Sequence, residues 1–226
     1  MPTINARRVG FIRGTPSTSL NTARTSNGTT ATDGPTTNIT NAVQSFFSSG
    51  RGGGTILFHR TYVHFDTSAI TSTLTSAKLK FTTVTSNSSD VIVMNGIDPF
   101  GGDGLSALAT SDFNAVNIGG LTQPFSSGVS LSIGAVEISL NASALSLITS
   151  NDNTFMCLMN NTFDFGGTTP SSTTSLGIAF GTTMQLEYVE VATSNITSLN
   201  AIARSNITSF NTIALASIDE INGIDN

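Results

Sequence analysis

Two carboxylates in a glycine-rich stretch form the candidate metal site of this sequence. Asp98 and Asp103 lie within residues 98–104, DPFGGDG. Carboxylate and carbonyl oxygens on an irregular loop are the ligands that Ca²⁺ prefers. The spacing matches no known calcium-binding loop, and Gly/Asp clusters of this kind are commonly plain turns. The sequence therefore allows calcium at Asp98 and Asp103 and predicts no other cofactor.

The other chemically versatile residues form no recognisable catalytic pattern. His59 and His64 are five residues apart and would point to opposite faces of a regular strand. No G-x-S-x-G nucleophile motif occurs. Asp66 is best explained as a cap for backbone N–H groups, and Cys157 as a small buried residue. We therefore predict that the protein is not an enzyme.

Composition argues against several classes of partner. The chain has 226 residues, a net charge of −5 and 10% charged residues, so no basic surface is expected to attract nucleic acid. The N-terminus has no apolar core of signal-peptide length, and no stretch approaches a membrane span. Abundant Thr, Ser and Asn with little Lys or Glu favour strands and turns over helices.

The stretch 60–81 predicts two strands joined by a polar connection. Val63 and Phe65 alternate with Tyr62 and His64 in the first strand. A second alternating run contains Ala77, Leu79 and Phe81. Period-2 alternation with one apolar face is typical of antiparallel sheets. Many such short segments separated by turn clusters predict an all-β protein, an antiparallel jelly-roll-like β-sandwich with an extended N-terminal arm and a short repeated C-terminal tail.

The same stretch resembles the motif of the DNRLRE, or disaggregatase-related, β-sandwich domains. That motif runs roughly R-x-hydrophobic-x-F-D-x-S-x-I, then a spacer and S-A-x-L-x-hydrophobic. The matching residues are Arg60, Phe65, Asp66, Ser68, Ile70, Ser76, Ala77, Leu79 and Phe81. Segments 136–165 and 184–191 resemble later parts of the domain. The resemblance implies a noncatalytic sandwich similar to carbohydrate-binding modules, of a kind that recurs in bacterial surface proteins and in phage tail and virion proteins.

Three segments predict short helices. Residues 38–47 carry apolar side chains at roughly helical spacing. Residues 105–118 are predicted to hold a helix capped at Ser111 or Asp112, and Asn141 is placed to cap a third.

Other segments predict loops and strands. The polar run 15–33 is predicted as an extended loop, and 163–174 as a long loop. Residues 129–140 alternate as two strands or as one bulged strand. Together these elements predict an arm and loop at 1–49, a sandwich at 50–192 and a repeated tail at 193–226.

The N-terminal segment 1–14 has two interpretations. It holds three of the nine basic residues, Arg7, Arg8 and Arg13, close to Phe11. The segment is either an arm that docks on a neighbouring subunit through Arg7, Arg8 and Phe11, or the first strand of the protein's own sheet.

Residues 193–226 contain three copies of an eleven-residue unit. The repeated apolar positions that we predict for assembly are Ile196, Ile207 and Ile218, and Leu199, Phe210 and Ile221. An eleven-residue repeat is compatible with a right-handed coiled coil. The Asn-, Thr- and Ile-rich units, with the turn dipeptide Asn222-Gly223, favour stacked strand–turn repeats. Three such units bury too little surface alone, so the tail should pack on its own sandwich or on other chains.

The resemblance implies, and the repeated tail supports, a structural subunit of a bacteriophage particle. We expect a tail, fibre, head-fibre or capsid-decoration protein located in the virion, with other virion proteins and further copies of itself as partners. Neither nucleic acid nor membrane insertion is expected. The alternative is a carbohydrate-binding module that attaches to a host-surface glycan. The lack of Trp and the presence of only two Tyr weaken it, because sugar sites usually use exposed aromatic platforms.

Overall fold

A computed structural model gives the fold of most of the chain. It describes residues 1–50, 54–87, 90–114, 124–180 and 184–191, and six two-residue strands beyond them. Met1–Val189 form one compact unit, and Glu190–Asn226 form another. The predicted boundary between residues 49 and 50 therefore falls inside a compact unit.

Strands dominate the first unit, so the predicted all-β class is confirmed. They are β1 (Thr3–Asn5), β2 (Arg8–Arg13), β3 (Thr30–Asp33), β4 (Asn38–Ser48), β5 (Thr55–Asp66), β6 (Leu74–Asn87), β7 (Asp90–Asn95), β8 (Val129–Ser130), β9 (Gly134–Ser139), β10 (Asn153–Asn160), β11 (Thr174–Ala179) and β12 (Gln185–Glu190). The α-helices are α1 (Leu20–Thr25) and α2 (Ala142–Ser150). Single helical turns lie at Pro99–Gly101, Thr110–Asn114 and Asn161–Phe165. No helix among the described residues is long and apolar enough to cross a membrane.

The described strands of this unit form one curled antiparallel sheet that divides at β5. One edge of β5 is covered by β2 and by its continuation to Ser17, which bonds Ile56. On the other edge, β10 pairs with the second half of β5 and β4 with the first half. One branch continues as β4-β11-β6-β12-β1, with β9 beside β6, and the other as β10-β7-β8.

The division of the sheet creates two apolar cores. Side chains of both branches meet in the inner core, which includes Val43, Val63, Leu79, Met156 and Leu176. The opposite face of β5 and β10 contributes to the outer core, which includes Ile12, Phe58, Tyr62, Phe113 and Cys157. Successive side chains of a strand point to opposite faces. In β5, Val63 and Phe65 therefore pack in the inner core and Tyr62 packs in the outer core.

The helix predicted over 38–47 is wrong, because these residues form β4. β4 pairs with β11 on one side and β5 on the other. Its register against β11 shifts between the pairs Val43↔Leu176 and Ile39↔Ile178. Such a bulge adds residues to one strand, so the apolar residues of β4 lose the period of two and acquire the wider spacing that suggested a helix.

The polar segment 15–33 is also more ordered than predicted. It contains α1, where the Ser19 hydroxyl accepts a hydrogen bond from Thr22 N at 3.3 Å, and β3, which pairs with β2. Ala23 of α1 is fully buried in the outer core. Tertiary contacts of one small residue therefore compensate for the low apolar content of the segment.

The remaining predictions have mixed outcomes. Residues 129–140 form two strands, β8 and β9, and Asn141 caps α2 as predicted. The helix predicted within 105–118 is only the turn Thr110–Asn114, and residues 115–118 lie outside the described residues. The loop predicted over 163–174 begins within a π-helical turn, Asn161–Phe165.

Candidate functional site

Arg60 and Asp164 form a buried ion pair in the outer core. Arg60 Nε donates to Asp164 Oδ2 and Nη2 to Oδ1, both at 2.7 Å, and the two side chains are 1% and 0% exposed. Arg60 Nη1 also donates to the carbonyl oxygen of Phe113 at 2.6 Å, and Nη2 to that of Arg24 at 2.9 Å. Both oxygens of the Asp164 carboxylate accept hydrogen bonds from Arg60, so the ion pair has a structural role.

Tyr62 and Cys157 lie in the same cluster and stay in their unreactive, protonated forms. The Phe113 ring lies 4.0 Å from the Arg60 guanidinium carbon, and Tyr62 OH donates to the Phe113 carbonyl oxygen at 2.9 Å. Burial raises the pKa of the Cys157 thiol to about 12 and raises the pKa of Tyr62. Both groups therefore stay protonated at neutral pH, and the predicted burial of Cys157 is confirmed.

The cluster joins elements that are far apart in the sequence. Arg24 of α1 donates Nε to the Asp164 carbonyl oxygen at 2.6 Å and Nη2 to that of Phe165 at 3.0 Å. The motif resemblance included Arg60, but no sequence pattern drew attention to Asp164, 104 residues later. No local pattern links two residues so far apart, so sequence reasoning had no means of pairing them.

The two histidines lie on opposite faces of β5, as the sequence predicts. His64 stacks on Phe155 with 4.8 Å between ring centroids, and its Nε2 lies 2.8 Å from Asn153 Oδ1. His59 Nδ1 lies 2.8 Å from the carbonyl oxygen of Asn41. Burial lowers the pKa of both imidazoles. The second nitrogen of each ring, His59 Nε2 and His64 Nδ1, is buried with no hydrogen-bond partner among the described residues.

Asp66 has the capping role that the sequence predicts. Its Oδ1 accepts hydrogen bonds from Ser68 N at 3.3 Å and from Ser68 Oγ at 2.6 Å. These hydrogen bonds lower the pKa of the Asp66 carboxyl. The Asp-x-Ser turn is thus a local structure that follows β5.

The two calcium candidates lie in a strained loop. Asp98 has a left-handed backbone conformation, with φ 51°, and lines a cavity of about 520 Å³ together with Asp152 and Asn153. Asp103 Oδ1 instead accepts a hydrogen bond from Leu105 N at 2.8 Å. Among the described residues, no three His, Cys, Asp or Glu side chains form a group that could hold a metal ion. Calcium at Asp98 and Asp103 stays a prediction.

The structure selects the second interpretation of the N-terminal segment. β2 pairs with β3 and β5 of its own sheet, so the segment is not a free docking arm. Arg8 bonds Asp33 Oδ2 and the carbonyl oxygen of Leu105, each at 2.7 Å. Arg7 makes a longer contact of 3.5 Å with Asp66, and Phe11 lies 6.3 Å from the His59 ring. These are contacts within the chain's own fold, and the assembly role of Arg7, Arg8 and Phe11 stays a prediction.

The tail contains three short β-hairpins. They are β13 (Ser198–Leu199) with β14 (Ile202–Ala203), β15 (Ser209–Phe210) with β16 (Ile213–Ala214), and β17 (Glu220–Ile221) with β18 (Ile224–Asp225). This is the strand–turn alternative, not the coiled coil. Of the six predicted assembly residues, Leu199, Phe210 and Ile221 end the first strand of each hairpin, while Ile196, Ile207 and Ile218 lie outside the described residues.

Comparison of the sequence with models of known protein families and with curated proteins finds no match.

Proposed function

We propose that this protein is a structural, non-enzymatic subunit of a bacteriophage particle, in the tail, a fibre or the capsid decoration. Its C-terminal repeats attach it to other chains of the virion. The observation that carries the proposal is the tail, where three hairpins have the same register at an interval of eleven residues. The phage setting comes from the sequence resemblance, which the repeated tail supports.

The hairpins are too small to be stable alone. Each is a two-stranded sheet of its own, with two residues in each strand. Isolated hairpins are marginal in water even when longer, so their stability has to come from packing against another surface. The equal spacing offers Leu199, Phe210 and Ile221 in equivalent positions. A surface that repeats in the same way, such as the tail of a second copy, matches that spacing.

The chemistry of the outer core supports a structural role. Arg60 and Asp164 bond each other, and Arg60 also bonds the carbonyl oxygens of Phe113 and Arg24. Tyr62 and Cys157 stay protonated because they are buried. These residues contribute to the rigidity of the sandwich, which a subunit of a fixed assembly requires.

The first experiment compares the solution mass of the full chain with that of residues 1–192. We expect the full chain to form a defined oligomer and the truncated chain to be a monomer, because removal of the tail removes the association surface. Light scattering after size exclusion measures both masses. A monomeric full chain would contradict the proposal, and glycan attachment would become the better hypothesis.

Point variants test whether the apolar residues of the tail, and not only the presence of the tail, cause the association. The triple variant Leu199→Asp, Phe210→Asp and Ile221→Asp should be monomeric, because it places charges in the proposed interface. The control, Ser198→Asp with Ser209→Asp, changes the adjacent polar positions of the same strands and should keep the oligomer. An oligomer that survives the triple variant would count against these residues.

A further inference from the structure

A row of polar side chains crosses three neighbouring strands beside the inner core. Arg13 of β2 and Gln44 of β4 both pair with His59 of β5. Phe46 and Leu57 form the next pair on the same face of β4 and β5. Together with Asn41, these residues line a cavity of about 320 Å³. That volume is at the lower end of the range for small-molecule sites, which is enough for a single sugar ring.

His59 carries an unused hydrogen-bond acceptor beside this cavity. Its Nδ1 lies 2.8 Å from the Asn41 carbonyl oxygen, which can only accept, so Nδ1 carries the proton. The neutral ring then has a lone pair on Nε2. His59 is 4% exposed, and Nε2 has no partner among the described residues. Burial, followed by the nearby Arg13 charge, lowers the pKa of His59, which keeps the ring neutral. An acceptor of this kind requires a donor, such as a hydroxyl group.

Arg13 supplies an unused cation next to this acceptor. The other lysine and arginine side chains that the structure describes bond to a carboxylate or to backbone carbonyl oxygens. The Arg13 guanidinium has neither kind of partner among the described residues, although the chain carries a net charge of −5. None of the described residues that line the cavity is acidic. A guanidinium fork is suited to a carboxylate, which it can bind through two parallel hydrogen bonds.

We propose that this cavity binds a polyhydroxylated carboxylate of the size of one sugar ring, such as a uronate. Its carboxylate bonds Arg13, and one of its hydroxyl groups donates to His59 Nε2. The amides of Gln44 and Asn41 flank the remaining hydroxyls, and Phe46 with Leu57 offers an apolar wall to the C–H face of the ring. This site is separate from attachment through the tail and does not depend on it.

Binding requires a small movement of side chains. His59 Nε2 is covered in the empty cavity, so a ligand reaches it only when a neighbouring side chain moves aside. Arg13 is exposed and Gln44 is half-exposed, and neither side chain is held by a hydrogen bond within the described part of the chain. Rotamer changes of this kind are common on binding.

The test is calorimetric titration of the full chain with D-glucuronate, D-glucose and acetate. We expect saturable binding of glucuronate and binding at least about 10-fold weaker for glucose and acetate, since glucose lacks the carboxylate and acetate lacks the hydroxyls. Arg13→Gln should weaken glucuronate binding by a similar factor. The matched control is Arg7→Gln, which removes another exposed arginine of the N-terminal segment outside this cavity and should leave the affinity unchanged.

Imidazole nitrogen NMR gives a second measurement that does not require a variant. The chain has only two histidines, so His59 and His64 can be followed separately. Glucuronate should shift the His59 Nε2 resonance and leave His64 unchanged. The proposal is overturned by the absence of saturable glucuronate binding, by equal binding of glucose, by wild-type affinity in Arg13→Gln, or by an unmoved His59 signal at saturation.

Discussion

Arg60 and Asp164 are stable inside the protein because each polar atom of the pair has a partner. A charge in an apolar interior loses its hydration, and only close, complete hydrogen bonding compensates for that loss. Here the guanidinium bonds both carboxylate oxygens and two carbonyl oxygens. The stability of the outer core therefore depends on both partners being charged.

The variant Asp164→Asn tests this dependence. The amide has nearly the shape of the carboxylate but leaves Arg60 as an uncompensated buried cation. We expect the free energy of unfolding to fall by about 3–5 kcal/mol, measured by urea denaturation. The control is Glu137→Gln, which removes an exposed partner of Lys78 and Lys80 and should change the urea midpoint far less. Equal effects of the two substitutions would contradict this account.

Local residue roles were predictable, while distant pairings were not. The capping role of Asp66 follows from the adjacent Ser68, and the opposite orientation of His59 and His64 follows from their spacing. The partner of Arg60 depends on how the turn after β10 meets β5. That meeting is a tertiary event, and a single sequence contains no local sign of it.

At the scale of elements, the N-terminal boundary of α2 is determined by the local sequence. Asn141 Oδ1 accepts a hydrogen bond from Ala144 N at 3.1 Å, and Asn141 Nδ2 donates to the Pro124 carbonyl oxygen at 2.6 Å. One side chain thus satisfies a free N–H of the helix and ties the preceding loop to it.

Asn141→Ala should lower the free energy of unfolding by about 1 kcal/mol, since the cap is lost. Ser146→Ala, at an exposed interior position of the same helix, should be neutral or slightly stabilising because alanine is the better helix former. Thermal or urea unfolding of the two variants provides the comparison. A neutral Asn141→Ala would show that the cap does not stabilise α2.

The type of an element was predicted wrongly where pairing with neighbouring strands outweighed the local spacing of apolar residues. β4 carries apolar residues at helical intervals, yet it lies between two strands and is bulged between Ile39 and Val43. The inter-strand hydrogen bonds on both sides of β4 determine its conformation, and the bulge explains the misleading spacing. Likewise, α1 exists because Ala23 and Arg24 contact the outer core, which the polar composition of residues 15–33 conceals.

At the scale of the whole molecule, the buried histidines predict acid sensitivity. Burial lowers the pKa of His59 and His64 in the folded state, so the unfolded chain binds protons first as the pH falls. Stability should therefore decrease from about pH 7.5 to about pH 5.5, across the ordinary histidine range. Urea midpoints measured at intervals of pH check the prediction, and midpoints independent of pH over this range would contradict it. The lowered pKa of Asp66 acts in the same direction but at lower pH, from the ordinary range of a carboxyl downwards.

The sequence by itself determined the all-β class, most strand positions and the cap of α2, and it favoured the strand–turn form of the tail. These features follow from period-2 alternation, capping residues and turn dipeptides, which act over a few neighbouring residues. Only the tertiary structure decided that β2 belongs to the protein's own sheet, that Arg60 meets Asp164, and that Arg13, Gln44 and His59 form one row. Those juxtapositions depend on which strands pair and in what register, and strand pairing joins residues whose distance along the chain leaves no local trace.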